Sequence, residues 1–141
     1  MRDAKRPSMT RRMPLRLTAL ASLGVLVACA TTRPPPPEFT TFASNVQVAR
    51  ILAAGCPTVT VNQGGMGEGA RNLGLSLRSQ GFTPEDIAGF RTTLDPGTVR
   101  AEINAYLTQN GVDPSNAATV CPVARREIDQ RSPIAAFLGA A

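Results

Sequence analysis

Beyond residue 41, apolar residues recur at three- and four-residue steps along most of the chain. Phe42, Val46, Ala49, Leu52 and Ala53 predict a first helix; Gly55 and Pro57 stop it and leave Cys56 at its end. Thr58 to Asn62 alternates like a strand but is short and has no evident partner, so it reads as an extended connection. Met66, Ala70, Leu73 and Leu77 predict a second helix ending near Gly81. Thr83-Pro84-Glu85-Asp86 is a start signal for a third: a hydroxyl to cap free N–H groups, a proline suited to the first turn, and two carboxylates facing the positive end of the helix dipole. Ile87, Phe90 and Leu94 follow on one face. Asp95-Pro96 opens a fourth helix in the same way, with Val99, Ile103, Tyr106 and Leu107 inward and Asn110-Gly111 at its end. Asp113-Pro114 opens a fifth segment carrying Val120, Cys121, Ala124 and Ile128, which Pro122 is expected to kink or split. Ser132-Pro133 precedes a last short helix burying Ile134 and Phe137. The expected fold is all-α, a single small domain of five or six short helices over residues 42–141.

The pattern changes character ahead of this domain. Residues 1–16 are basic and residues 17–28 are apolar, the shape of an export signal. A permanent span needs roughly 20 apolar residues in a helix, more than this stretch holds. Met9 or Met13 are alternative starts. Leu26-Val27-Ala28-Cys29 resembles the lipobox of bacterial lipoproteins. That resemblance implies a signal peptide of residues 1–28, a Cys29 thiol alkylated with diacylglycerol, and cleavage just before it. Ala28-Cys29-Ala30 also reads as a small-x-small site for ordinary signal peptidase, which would cut after Ala30 and discard Cys29. A buried structural cysteine is the third reading. Residues 29–41 then form a linker in which Pro34 to Pro37 favour an extended polyproline spacer.

Dividing the chain here also redistributes its charge. The formal net charge is +5, but residues 1–28 hold six basic side chains against one acid, and residues 29–141 hold nine against nine. The exported part has no excess positive charge to attract phosphates, so no nucleic-acid partner is expected. Three cysteines become two once Cys29 is set aside. In an oxidising compartment Cys56 and Cys121 are expected to pair; two free buried thiols are the alternative.

Little catalytic chemistry is available. The chain has no His, and its only Lys is Lys5, which excludes Ser–His and Cys–His pairs, imidazole metal sites and lysine Schiff bases from the exported part. Gly65-Met66-Gly67-Glu68-Gly69-Ala70 fits a loose dinucleotide fingerprint. However, no second strand follows, and Glu85 and Asp86 sit at a helix cap, so it reads as a flexible loop entering the second helix. Glu127 and Asp129 lie beside Arg125, Arg126 and Arg131 on what reads as a solvated, salt-bridged face. No catalytic residue, metal ligand or cofactor is expected.

Cys56-Pro57, the run Gly81 to Ile87, the run Ala101 to Leu107, Gly111-Val112 and Cys121 together resemble a family of small exported bacterial proteins. Its members carry two cysteines around a helical domain of unknown function. The resemblance spans residues 43–138 and implies the helical fold and the cysteine pair, with no active site. The expectation is an envelope lipoprotein anchored through Cys29, with its domain in the periplasm as a binding or scaffolding module for an envelope protein partner. Ala30 rather than Asp follows Cys29, which by resemblance to lipoprotein sorting favours the outer membrane. The alternatives are a soluble periplasmic adaptor or inhibitor, and a small enzyme using carboxylates or arginines gathered around a pocket.

Overall fold

The structure, a computed structural model, describes residues 33–141. The export signal, Cys29 and the first residues of the linker therefore lie outside the described residues. The element order is α1 (Pro37–Gly55), β1 (Val59–Val61), α2 (Gln63–Ser79), α3 (Pro84–Thr93), α4 (Pro96–Gln109), α5 (Ala117–Asp129), a 3-10 turn (Ala135–Phe137) and β2 (Leu138–Ala140). This is the expected helical domain, with a two-stranded sheet added to it. No helix among the described residues is long and apolar enough to cross a membrane.

The packing centres on α1. Its buried face, Val48, Ala49 and Leu52, meets Val120, Val123 and Ala124 of α5, Met66 of α2, and Ile134, Phe137 and Leu138 from the C-terminal turn and strand. Each large apolar side chain removed from water here contributes roughly 1.5–3 kcal/mol. Cys56, fully buried just beyond α1, is disulfide-bonded to Cys121 on α5. The bond closes a loop with a sequence separation of 65. On the chain-entropy account a loop of that length stabilises by about 4 kcal/mol, a large share of the ~5–15 kcal/mol typical of a domain.

Several elements begin as their sequences dictate. Thr83 Oγ1 accepts from the Asp86 N–H at 3.1 Å and the Asp86 carboxylate accepts from the Thr83 N–H at 2.9 Å, a reciprocal capping box. Those bonds hold the Asp86 carboxyl below its ordinary range. The Asp95 carboxylate accepts from the N–H groups of Gly97 and Thr98. Its bond from the Thr98 hydroxyl, at 2.7 Å, does most to hold its pKa below the ordinary value. Gly81 (φ 87°) and Gly111 (φ 62°) follow the ends of α2 and α4 in the left-handed conformation.

The course of the chain departs from expectation in four places, the last two in and before α5. First, α1 starts at Pro37, five residues before the hydrophobic pattern does. Pro37 serves as a first-turn proline, which lacks the N–H that a helix start leaves unpaired, so only Pro34 to Pro36 stay extended. Second, the connection at 58–62 has a partner: Val59, Thr60 and Val61 pair antiparallel with Ala140, Gly139 and Leu138. Third, α5 starts at Ala117, capped by Asn116, while Asp113 turns the preceding loop by accepting from Ser115. Fourth, Pro122 lies inside α5 without dividing it. Ala118 and Pro122 are both exposed, so the carbonyl deprived of its helical donor faces water.

Candidate functional site

The sequence-predicted candidates fall in different places. Cys29 is outside the described residues. Cys56 and Cys121 are joined to each other. Among the described residues no group of His, Cys, Asp or Glu is arranged to hold a metal ion.

The glycine-rich segment is not a loop. Gly64, Gly65, Gly67 and Gly69 all lie within α2, and the Asn62 side chain caps the helix by accepting from the Gly65 N–H at 3.0 Å. Two of the glycines are there for close approach. A Cβ at Gly65 would fall 1.8 Å from the Ala136 carbonyl oxygen. One at Gly69 would fall 2.9 Å from the Phe137 ring and 3.0 Å from the Phe42 ring. Phe42 and Phe137 themselves meet edge to face at 5.5 Å. The fingerprint spacing thus reflects the C-terminal turn lying hard against α2, and β1 ahead of it pairs with β2 rather than with a parallel neighbour.

The acidic and basic residues of α5 are not uniformly solvated either. Glu127 is buried, 3.5 Å from the half-exposed Arg126 guanidinium, which also donates to the Asn110 side chain. The Tyr106 hydroxyl is buried next to this group without a hydrogen-bond partner. Burial first, and the neighbouring Glu127 second, hold its ionisation well above the ordinary value. These groups are packed rather than gathered around a cavity.

The concave surface lies elsewhere. Leu77 and Phe90 are fully buried but stand apart from the main core. Phe90 is held edge-on between Phe39 and Phe82, with both centroid distances 5.3 Å. The Arg33 guanidinium sits 5.3 Å from the Phe82 ring centre and donates to the Gly81 carbonyl at 3.4 Å. Between this second cluster and the main core α1, α2 and α3 leave an open cleft of about 580 Å³. Phe42 and Val46 of α1, Leu73 of α2, Ile87 of α3 and Leu94 just beyond it line the cleft, with Arg50 and Arg91 its only charged side chains among the described residues. A shallower cleft of about 400 Å³ lies between α1, α3 and α4, lined by Ile51, Val99, Arg100 and Ile103. Gln47, Arg91 and Leu94 line both. Among the described residues no acidic side chain lines either cleft.

Sequence reasoning did not find this surface. Arg50 and Arg91 are single charges on separate helices, and only folding brings them to the lining of one cleft.

The profile of a family of unknown function (DUF5333) matches residues 35–139. The chain belongs to that family. Neither a curated protein nor a solved structure matches it. The matched segment begins at Pro35, close to the start of α1, and ends within β2.

Proposed function

We propose that this is an envelope lipoprotein anchored through Cys29, and that its helical domain is a binding module in the periplasm whose binding face is the cleft between α1, α2 and α3. The carrying observation is the cleft itself. It is concave, mostly apolar and edged by two arginines, the usual make-up of a ligand site.

The start of α1 supports the anchored arrangement. Only residues 30–36 separate Cys29 from Pro37, at most about 25 Å of extended chain. Arg33, within that segment, is held on Gly81 and Phe82 beside the second hydrophobic cluster. A lipid at Cys29 would therefore hold the domain close to the membrane surface.

Metabolic labelling with a fatty-acid probe tests the anchor. The labelled protein should lose its signal in Cys29→Ser, and its mature N-terminus should be a blocked Cys29. A mature chain beginning at Thr31 would contradict the anchor and favour a released periplasmic adaptor.

A further inference from the structure

We propose that the larger cleft binds a single-chain anionic amphiphile, a long-chain fatty acid, with its carboxylate at Arg50 and Arg91 and its hydrocarbon chain laid along α1. This rests on the reading of the cleft as the binding face and names what that face takes.

Size and shape come first. A volume of about 580 Å³ falls within the range of roughly 300–1,000 Å³ usual for ligand sites. The α1 residues lining it run from Phe39 to Arg50, about 16 Å along the helix axis. That outline is long and suits one extended hydrocarbon chain.

Polarity runs along the same axis. The N-terminal end of the α1 lining is aromatic, Phe39 and Phe42, and the C-terminal end is polar, Gln47 and Arg50. Arg91 joins from α3, and through the shared residues Gln47 and Leu94 this end borders the second cleft and Arg100. Among the described residues the one ion pair is Arg126 with Glu127, so neither Arg50 nor Arg91 is paired with an acidic residue there. Two such guanidinium groups at one end of an apolar cleft call for an anionic head and a hydrocarbon tail. A carboxylate accepts from guanidinium groups in short, charge-assisted bonds.

Gly74 also lines the cleft, and a Cβ there would meet nothing within 4 Å, so the space is open at that point.

The chain's own anchor fits less well. A diacylglycerol thioether at Cys29 carries no anion for Arg50 and Arg91.

The test uses the full exported chain carrying Cys29→Ser, so that no acyl group of its own competes, titrated with oleate and with uncharged oleyl alcohol. Native mass spectrometry gives the stoichiometry, and displacement of a fluorescent fatty acid gives the affinity. One oleate per chain is expected, with the alcohol at least tenfold weaker. The double variant Arg50→Gln, Arg91→Gln should weaken oleate at least tenfold and leave the alcohol unchanged. Gly74→Met should abolish binding of both while the circular dichroism is kept and the unfolding midpoint does not fall. Absence of saturable uptake, equal affinity for acid and alcohol, or full binding by Gly74→Met would overturn the proposal. So would a lipidated wild-type chain that refuses the oleate Cys29→Ser accepts, since the anchor would then be the occupant. Failure of oleate while a cross-linker at Leu73 still captures an envelope component would reject this ligand class alone; failure of both would also reject the binding face.

Discussion

Replacing Gly65 with alanine tests whether packing, rather than loop flexibility, put the glycines into α2. The new Cβ would lie 1.8 Å from the Ala136 carbonyl oxygen. That oxygen is backbone, so relief requires α2 and the C-terminal turn to separate by roughly 1.5 Å, given that a carbon–oxygen contact is comfortable at about 3.4 Å. The turn is pinned by the Asn62 N–H donating to the Phe137 carbonyl at 2.8 Å and the Asn62 side-chain amide donating to the Ala136 carbonyl at 3.2 Å. Separation would strain both bonds, each worth about 1 kcal/mol net. It would also loosen Phe137, which is only 5% exposed. Forced overpacking costs ~1–3 kcal/mol, and the better helix propensity of alanine returns at most ~1 kcal/mol. The expected net loss is about 2–3 kcal/mol, or a fall of ~10–20 °C in Tm for a domain of this size. Gly74→Ala, in the same helix with open space around it, gains about 0.5–1 kcal/mol instead. Urea unfolding of the oxidised protein reads both, through the midpoint at unchanged slope. If both variants raise the midpoint, the close approach is wrong.

Four further outcomes are expected. Reducing the Cys56–Cys121 bond should lower unfolding free energy by about 4 kcal/mol in urea titrations with and without reductant; a loss below ~1 kcal/mol would contradict the staple. Tyr106→Phe removes a buried hydroxyl without a partner, so it should be neutral or stabilising by up to ~1 kcal/mol in the same titration, and a clear loss would reveal a partner. Arg131 adopts φ 50° just after α5, so Arg131→Gly should raise Tm by a few degrees, worth about 0.5–1 kcal/mol; a fall would show that the arginine side chain holds the turn. Asp86, Asp95 and Asp113 have folded-state pKa values below the ordinary 3.8, the first through the Thr83 backbone N–H and the others mainly through the Thr98 and Ser115 side chains. Their contribution is therefore present above that pH and is lost as pH falls through the lower folded value. Tm should hold down to about pH 4 and then drop, with a shallower acid drop in Asp86→Asn; an unchanged slope would remove the capping box from the account.

How legible each feature was depended on how local its cause is. Helix starts at Thr83 and Asp95 and stops at Gly81 and Gly111 are decided within four residues, and the structure has them where the sequence implies. The burial of Ile134 and Phe137 followed from the apolar pattern of a short segment. β1 was misread because its partner is Leu138–Ala140, far along the chain and containing Gly139, so no local signal marks a strand. The proline run was ambiguous because Pro37 suits both an extended spacer and a first helical turn. Glycines at 64–69 looked like a loop because propensity favours that, and tertiary contact with Ala136 and Phe137 overrode it. Glu127 looked solvated from its charged neighbours, although the helix turns it inward. The cleft had no sequence signal at all, being the space left where three helices fail to meet.

The most direct test of the binding face is photo-cross-linking in intact envelope membranes. It compares a cross-linker at Leu73, in the cleft, with one at Leu75, 62% exposed and outside either cleft. One saturable adduct is expected from position 73, absent from position 75 and lost when Gly74→Met fills the cleft. Indistinguishable adducts from the two positions, or none from position 73, would contradict it.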